Sequence, residues 1–542
     1  MDVKSLPQPS RYTAFIVCIV GWALATLAGY LGMRWQWHWL WIVAALFAGL
    51  VILGLIDLLQ SHHSIRRNYP VIGHIRWLAE MIRPEIRQYL IESDEDAAPF
   101  SRSQRSLVYQ RAKGEAGEHP FGTLLDVYRD GYEFIGHSTA PVKAADPETF
   151  RITIGGPQCA RPYSASVFNI SAMSFGSLSA NAIRALNSGA AKGGFSHDTG
   201  EGSISPYHRE AGGDIVWEIA SGYFGCRDAE GRFDPARFAE QAKTDQVRMI
   251  EIKLSQGAKP GHGGVLPAAK VTPEISRTRG VPMGQDCVSP ARHSAFSTPL
   301  EMMDFITQLR TLSGGKPVGF KLCLGHPWEF MAIVKAMLQT GVTPDFIVVD
   351  GAEGGTGAAP TEFSDHIGAP MREGLLFVHN TLVGVGLRDK IKIGAAGKIV
   401  SAFDIASVLA IGADWANAAR GFMFAIGCVQ SVSCNTNHCP TGVATQDPLR
   451  QSALVVVDKA ERVYNFHRLT LKALSDMLGA AGLSHPDELK AHHLVRRVSA
   501  TEIKQFSELH VFLEPGSLLD GQCPHTTYVQ NWARASAETF GG

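Results

Sequence analysis

Between residues 150 and 450 the chain repeats one pattern, a short β-branched run followed by a helical stretch, and no other feature limits its fold so tightly. The runs cover 167–171, 249–253, 318–322, 346–349 and 392–395. Helical patterns cover 180–192, 298–313, 327–339 and 401–411. Such alternation predicts an α/β fold with a parallel sheet. Several runs end in residues suited to ligand work, namely Lys253, Lys321, Asp350 and Gly394. Functional groups at strand C-termini are what a (β/α)8 TIM barrel offers, because its site is built from the βα loops. A doubly wound sheet is the alternative. It would need a G-x-G-x-x-G turn after the first strand, and none occurs there.

A second constraint lies at 427–443. Cys428, Cys434 and Cys439 follow the spacing Cys-x5-Cys-x4-Cys, and Pro440 follows the last. The Ser, Asn, Thr and Gln between them are turn formers. A loop of this kind can aim three thiolates at a compact iron–sulfur centre, and cluster loops commonly end in Cys-Pro. Three buried free cysteines and a zinc site are the other readings, although zinc favours shorter Cys spacings. The chain holds nine cysteines, and the six outside this loop show no pairing pattern, which argues against a disulfide framework. Net charge is −1, so no global field favours nucleic acid.

At the N-terminus, residues 12–33 and 35–56 carry no Asp, Glu, Lys or Arg, and only Arg34 separates them. Each run is long enough for about 30 Å of hydrocarbon. Trp35, Trp37, Trp39 and Trp41 cluster where the runs meet, as in an interfacial aromatic belt. Residues 1–58 therefore predict a transmembrane helical hairpin. Lys4, Arg11, Arg66 and Arg67 flank it, so both ends are expected in the cytoplasm, on the inner membrane. Residues 59–150 are read as a connector packing on the barrel. They include a helix over 71–90 interrupted at Pro84, early arginines able to meet anionic lipid, and an acidic run at Glu92, Asp94, Glu95 and Asp96. The barrel is assigned to 151–450. Residues 451–542 are expected to form a helical extension, with helices over 469–478 and 489–498.

Five constellations in 150–450 carry candidate chemistry. Glu201 lies between Gly200 and Gly202, where a loop carboxylate can relay a proton. Lys253 and Lys259 bracket Gln256 and Gly257, ahead of Pro260 and Gly261, a pattern suited to anions, and Arg279 follows. Lys321 closes an apolar strand and could balance the anionic pyrimidine end of a reduced flavin. Asp350 leads into Gly351, Gly354, Gly355, Thr356 and Gly357. Gly397-Lys398 and Arg420-Gly421 lie late in the barrel, where such folds hold phosphate.

These residues resemble the FMN-binding synthase domain of glutamate synthases. The resemblance rests on Thr199-Gly200-Glu201-Gly202, Gln256-Gly257-Ala258-Lys259-Pro260-Gly261, Gly354-Gly355-Thr356-Gly357, the cysteine loop, and Gly442-Val443-Ala444-Thr445-Gln446. It implies FMN at the strand C-termini, contacted by Met173, Ser174, Lys321, Gly354, Gly355, Thr356, Gly397, Lys398, Arg420 and Gly421. It implies a [3Fe–4S] cluster on Cys428, Cys434 and Cys439. Lys253, Gln256, Lys259 and Arg279 match the 2-oxoglutarate pocket, with Glu201 and Lys321 as catalytic residues. The implied reaction is reductive amination of a 2-oxo acid with ammonia or an amine, driven by a separate electron-donor protein, a ferredoxin or an NAD(P)H-oxidising subunit. The chain begins Met1-Asp2 ahead of an apolar run, so glutamine hydrolysis in cis is not expected, and a partner amidotransferase is an alternative nitrogen source. One departure stands out. Where the family has Gly-Glu-Gly-Gly-Gln, this chain has Gly261-His262-Gly263-Gly264-Val265, so the amide contact of that glutamine is missing. The alternative function is a membrane-docked electron-transfer protein without amination.

Overall fold

A computed structural model describes residues 10–33, 37–95, 98–115, 117–118 and 120–541. Lys4, Arg34, Trp35 and Asp96, used above, lie outside the described residues. The chain divides into two compact units, Met1–Ser101 and Arg102–Gly542.

The first unit contains helices Thr13–Gly32 and Trp39–Leu59, both long and apolar enough to cross a membrane. They pair in opposite directions, since Gly21 faces Phe47, Gly29 faces Trp41 and Gly54 faces Phe15. A Cβ on Gly54 would lie 2.3 Å from the Phe15 ring, so this crossing needs glycine. After a short helix at Ser64–Asn68, helix Gly73–Ile86 carries Pro84 and runs on into a wide turn at Arg87–Ile91.

The second unit is built on a closed barrel of eight parallel strands. In chain order these are Phe168–Ile170, His197–Asp198, Ile215–Ile219, Val247–Lys253, Val318–Leu322, Phe346–Asp350, Lys392–Ala396 and Trp415–Ala418. Each pairs with its neighbours in sequence, and the eighth closes on the first through Ala416–Phe168. Both faces of such strands are covered, so they read as unbroken apolar runs rather than alternating ones. Ile215–Ile219 and Val318–Leu322 are buried at every position. An antiparallel hairpin, Arg151–Ile154 with Tyr163–Ser166, precedes the first strand. Its Ile154, Tyr163 and Ala165 join Val216, Met249, Phe346 and Trp415 in one apolar core cluster.

The helices start where side chains can satisfy their free amides. Thr298 and Glu301 form a reciprocal capping box ahead of Pro299–Leu312, and Ser179 caps Ala180–Gly193. At the C-terminus, the expected helix over 469–478 lies inside the longer Val456–Ala480, which packs against Ala180–Gly193 and Arg102–Lys113. The expected helix over 489–498 does not form. A single turn at Ala491–His493 leads into strand Leu494–Arg497, paired with Glu133–Ile135 and Ile503–Gln505. Available strand partners outweigh the weak helical pattern of that segment.

Candidate active site

The loops leaving the C-terminal ends of the strands bring most of the expected residues together. Glu201 follows the second strand, and Lys253 ends the fourth. Lys253 Nζ lies 2.9 Å from Glu201 Oε2 and donates to Gln256 Oε1 at 2.6 Å. Lys259, 4% exposed, donates to the Ala358 carbonyl at 3.0 Å. Arg279, 2% exposed, donates to the Phe175 carbonyl at 2.9 Å, and its Nε has no hydrogen-bond partner. Burial pushes the Glu201 carboxyl up, but Lys253, Arg279 and Lys259 outweigh it and hold the group at about 2. Burial pulls the Lys259 ammonium down despite Glu201. Three cations thus share one carboxylate, a surplus of two positive charges in a largely buried site. A dianion fits that surplus.

Glycine makes this approach possible. A Cβ on Gly264 would fall 1.7 Å from Glu201 Oε1. A Cβ on Gly257 would fall 1.6 Å from the Gly351 carbonyl oxygen, while the Gly257 amide donates to Asp350 Oδ2 at 2.9 Å. The fourth-strand and sixth-strand loops are therefore in backbone contact. Met173 and Ser174 leave the first strand and pack beside Gly200 and Gly202. His262 and Val265, the two residues that differ in that stretch, sit in the same excursion. His262 rests edge-on against Phe363, and Val265 pairs with Val288 in a small hairpin.

Gly354, Gly355, Gly397, Lys398 and Arg420 form a second group. Arg420 packs on Gly355 and donates to the Glu353 carbonyl at 2.7 Å. Burial lowers Arg420 to about 10 and, with Arg420 nearby, lowers Lys398 as well. Two cations beside glycine backbone, Arg420 half-buried and Lys398 exposed, suit a phosphate. Thr356 is exposed, and Gly421 is buried against Ile399 and Phe466.

Lys321 lies inside the barrel, 4% exposed, paired with Glu218 and with Glu251 at 3.3 Å. Oxygens of Asp198, Glu218 and Glu251 lie within 4.8 Å of one another. Burial opposes the Lys321 charge, but Glu218, Glu251, Asp198 and Asp350 prevail and raise its pKa well above the usual value. Burial and then Glu218 raise Asp198 to about 7, and burial and Asp198 push Glu251 well above the usual carboxylate range. Sequence reasoning missed this layer. Its only trace was a lone carboxylate in each of two apolar strands, Glu218 and Glu251. A native Asp198 that keeps its proton contributes stability fully below its ordinary pKa of 3.8, and that contribution is lost as pH rises to about 7. Asp198→Asn is expected to flatten this fall, whose limiting slope is about 1.4 kcal/mol per pH unit. Thermal midpoints of the full chain across that pH range check it.

The cysteine loop follows the eighth strand. Gln430, Val432 and Asn437 all have positive φ, at 58°, 53° and 66°. For a β-branched valine this is a genuine outlier, the kind of strain that concentrates at functional sites. The loop is tied down on all sides. Gln446 donates to the Gly176 and Leu178 carbonyls, and Tyr109 donates to the Cys428 carbonyl at 2.7 Å. Lys270, also missed from sequence, donates to the carbonyls of Ser177, Cys434 and Ala444 at 3.2, 2.9 and 3.1 Å. Burial pushes the Cys428 thiol up to about 12 and raises Cys434. Burial also acts on Cys439, but the backbone amide of Ala444 and the Thr441 hydroxyl hold that thiol below its usual value.

A (β/α)8 barrel with a cluster of cationic side chains around Glu201 at its strand C-termini defines the class, and the comparisons with known proteins define the family. Residues 147–484 match the conserved region in glutamate synthase. The chain belongs to the glutamate synthase family. The glutamate synthase large subunit-like protein YerD of Bacillus subtilis is 38% identical over 478 residues, covering 81% of this chain and 90% of that protein. An archaeal-type glutamate synthase (NADPH) of Thermotoga neapolitana is 34% identical, covering 59% of this chain and 60% of that one. The chain therefore spans less than two thirds of that archaeal-type relative. Among solved structures, a flavocytochrome b2 mutant with pyruvate bound is 14% identical, with a TM-score of 0.40, covering 82% of this chain and 95% of that one.

Proposed function

We propose that this protein is an FMN- and [3Fe–4S]-dependent oxidoreductase that reductively aminates 2-oxoglutarate, or a related 2-oxo acid, with ammonia or an amine. The single observation that carries the reading is the surplus of two positive charges shared by Lys253, Lys259 and Arg279 around Glu201. FMN, when bound, supplies hydride chemistry, and the cluster supplies single electrons from a separate donor protein.

The chain's own residues have distinct roles in this reading. Lys259 and Arg279 fix the substrate carboxylates, which sets the reacting carbon in one orientation. Glu201 Oε2, ionised and paired with Lys253, can accept a hydrogen bond from the incoming ammonium or amine and hold it beside the keto acid. Lys398 and Arg420 would hold the FMN phosphate beside Gly354, Gly355 and Gly397. Lys321 would keep a fixed positive charge for the ring, stabilised from behind by Glu218 and Glu251. Cys428, Cys434 and Cys439 would hold the cluster, in a loop where the Gln430 amide donates to Cys428 Sγ at 3.5 Å. The two apolar helices anchor the protein in the inner membrane with the barrel on the cytoplasmic side, a reading supported by their length, their apolarity and the flanking Arg11, Arg66 and Arg67.

Chemical analysis of the full-length protein tests the cofactor assignment. One FMN with iron and sulfide for a single [3Fe–4S] is expected, and flavin without iron would remove the cluster. Lys270→Met deletes the charge-assisted bonds to the Cys434 and Ala444 carbonyls of the cysteine loop and the one that ties it to Ser177. It is expected to weaken cluster retention by about 10–100-fold, read as iron per flavin after dilution. A second reading, electron transfer without amination, draws on Val265 standing where the family's glutamine would contact the keto acid.

A further inference from the structure

We propose that helix Gly73–Ile86 lies flat in the lipid headgroup region as an interfacial amphipathic helix. The proposal rests on the reading that the two apolar helices span a bilayer. At 100° per residue, Ile75, Leu78, Ala79, Ile82 and Ile86 fall on one face of about 100°. Leu78 and Ile75 are 53% and 60% exposed, and Ile82 and Ile86 are 43% and 38% exposed. A soluble helix buries such a stripe. Here it stands uncovered, and the turn that follows extends it with Leu90 at 80% and Ile91 at 72% exposed.

Two further observations favour lipid as the occupant. The first is continuity with the apolar hairpin. Asp57, near the end of the second apolar helix and 2% exposed, accepts the Val71 amide at 3.0 Å and the His74 Nε2 at 2.9 Å. Gly54 lies against the Val71 side chain. The amphipathic helix is thus clamped at its first turn to the point where the second span ends, which is the membrane surface. The second is charge. Arg76, Arg83 and Arg87 line one flank of the apolar stripe, from which long arginine side chains can reach anionic headgroups. Arg66 lies over the Trp77 ring at 4.7 Å, in the same turn region. A strip that is apolar at its centre and cationic at its edge matches an anionic bilayer surface.

Photo-crosslinking tests this in the full-length protein, reconstituted in nanodiscs of phosphatidylglycerol and phosphatidylethanolamine. Benzoylphenylalanine is placed singly at the positions of Leu46, Leu78 and Glu80, and lipid adducts are counted by mass spectrometry. Leu46 is 67% exposed on the second span and reports the membrane reading itself. Lipid adducts are expected at the positions of Leu46 and Leu78, at least about tenfold above the Glu80 position on the polar face. Adducts at the Leu46 position with none at that of Leu78, or a protein adduct there, would overturn the interfacial helix while leaving the spans intact. Absence of lipid adducts at both would overturn the membrane reading and this proposal together.

Discussion

Lys259→Ala is expected to lower kcat/KM for the 2-oxo acid by roughly 10²-fold or more while leaving the flavin spectrum unchanged. Lys259 is buried, contributes to the field that keeps Glu201 ionised, and donates to the Ala358 carbonyl of the sixth-strand loop. Removing one partner of a buried, charge-assisted contact costs about 2–5 kcal/mol, and each 1.4 kcal/mol is tenfold. Two independent measurements separate the roles. Steady-state kinetics gives the loss, and the visible spectrum reports cofactor retention. If the variant loses FMN instead, Lys259 belongs to the cofactor site.

Lys321→Met is expected to have the largest effect on stability, about 3–5 kcal/mol, because it leaves Glu218 in the barrel interior without its cation. The thermal midpoint of the full chain should fall by several degrees. Adding Glu218→Gln should recover part of the loss, since the remaining carboxyls Asp198 and Glu251 already tend to keep their protons. No recovery would mean that the layer is held by something other than charge balance. The same double variant addresses the ring. A flavin that binds normally to it but shows a lowered reduction potential would assign the ammonium an electronic role beyond support of the layer.

Five of the eight barrel strands were legible because their β-branched runs are long enough to register. The others were not. His197–Asp198 is two residues long, Trp415–Ala418 is mostly small residues, and Ile215–Ile219 carries Glu218 in an apolar setting. The cationic cluster was legible for a different reason, since Lys253, Gln256 and Lys259 are neighbours in sequence and Glu201 sits between glycines. Asp198, Glu218, Glu251 and Lys321 come from four consecutive strands of the closed barrel, so no local pattern announces their contact. From sequence Lys321 reads as a lysine facing a ligand, and its pairing with two carboxylates emerges only on closure. Lys270 was invisible because its partners are carbonyls, which every residue carries.

In the proposed reaction FMN, when bound, would reduce an imine formed from a 2-oxo dicarboxylic acid held by Lys259 and Arg279. Anaerobic photoreduction of the full-length, cofactor-loaded protein, followed by addition of 2-oxoglutarate and ammonium, tests it most directly. Return of the oxidised flavin absorbance together with formation of glutamate is the predicted result. A flavin that stays reduced with both reactants present would contradict the account and favour electron transfer without amination.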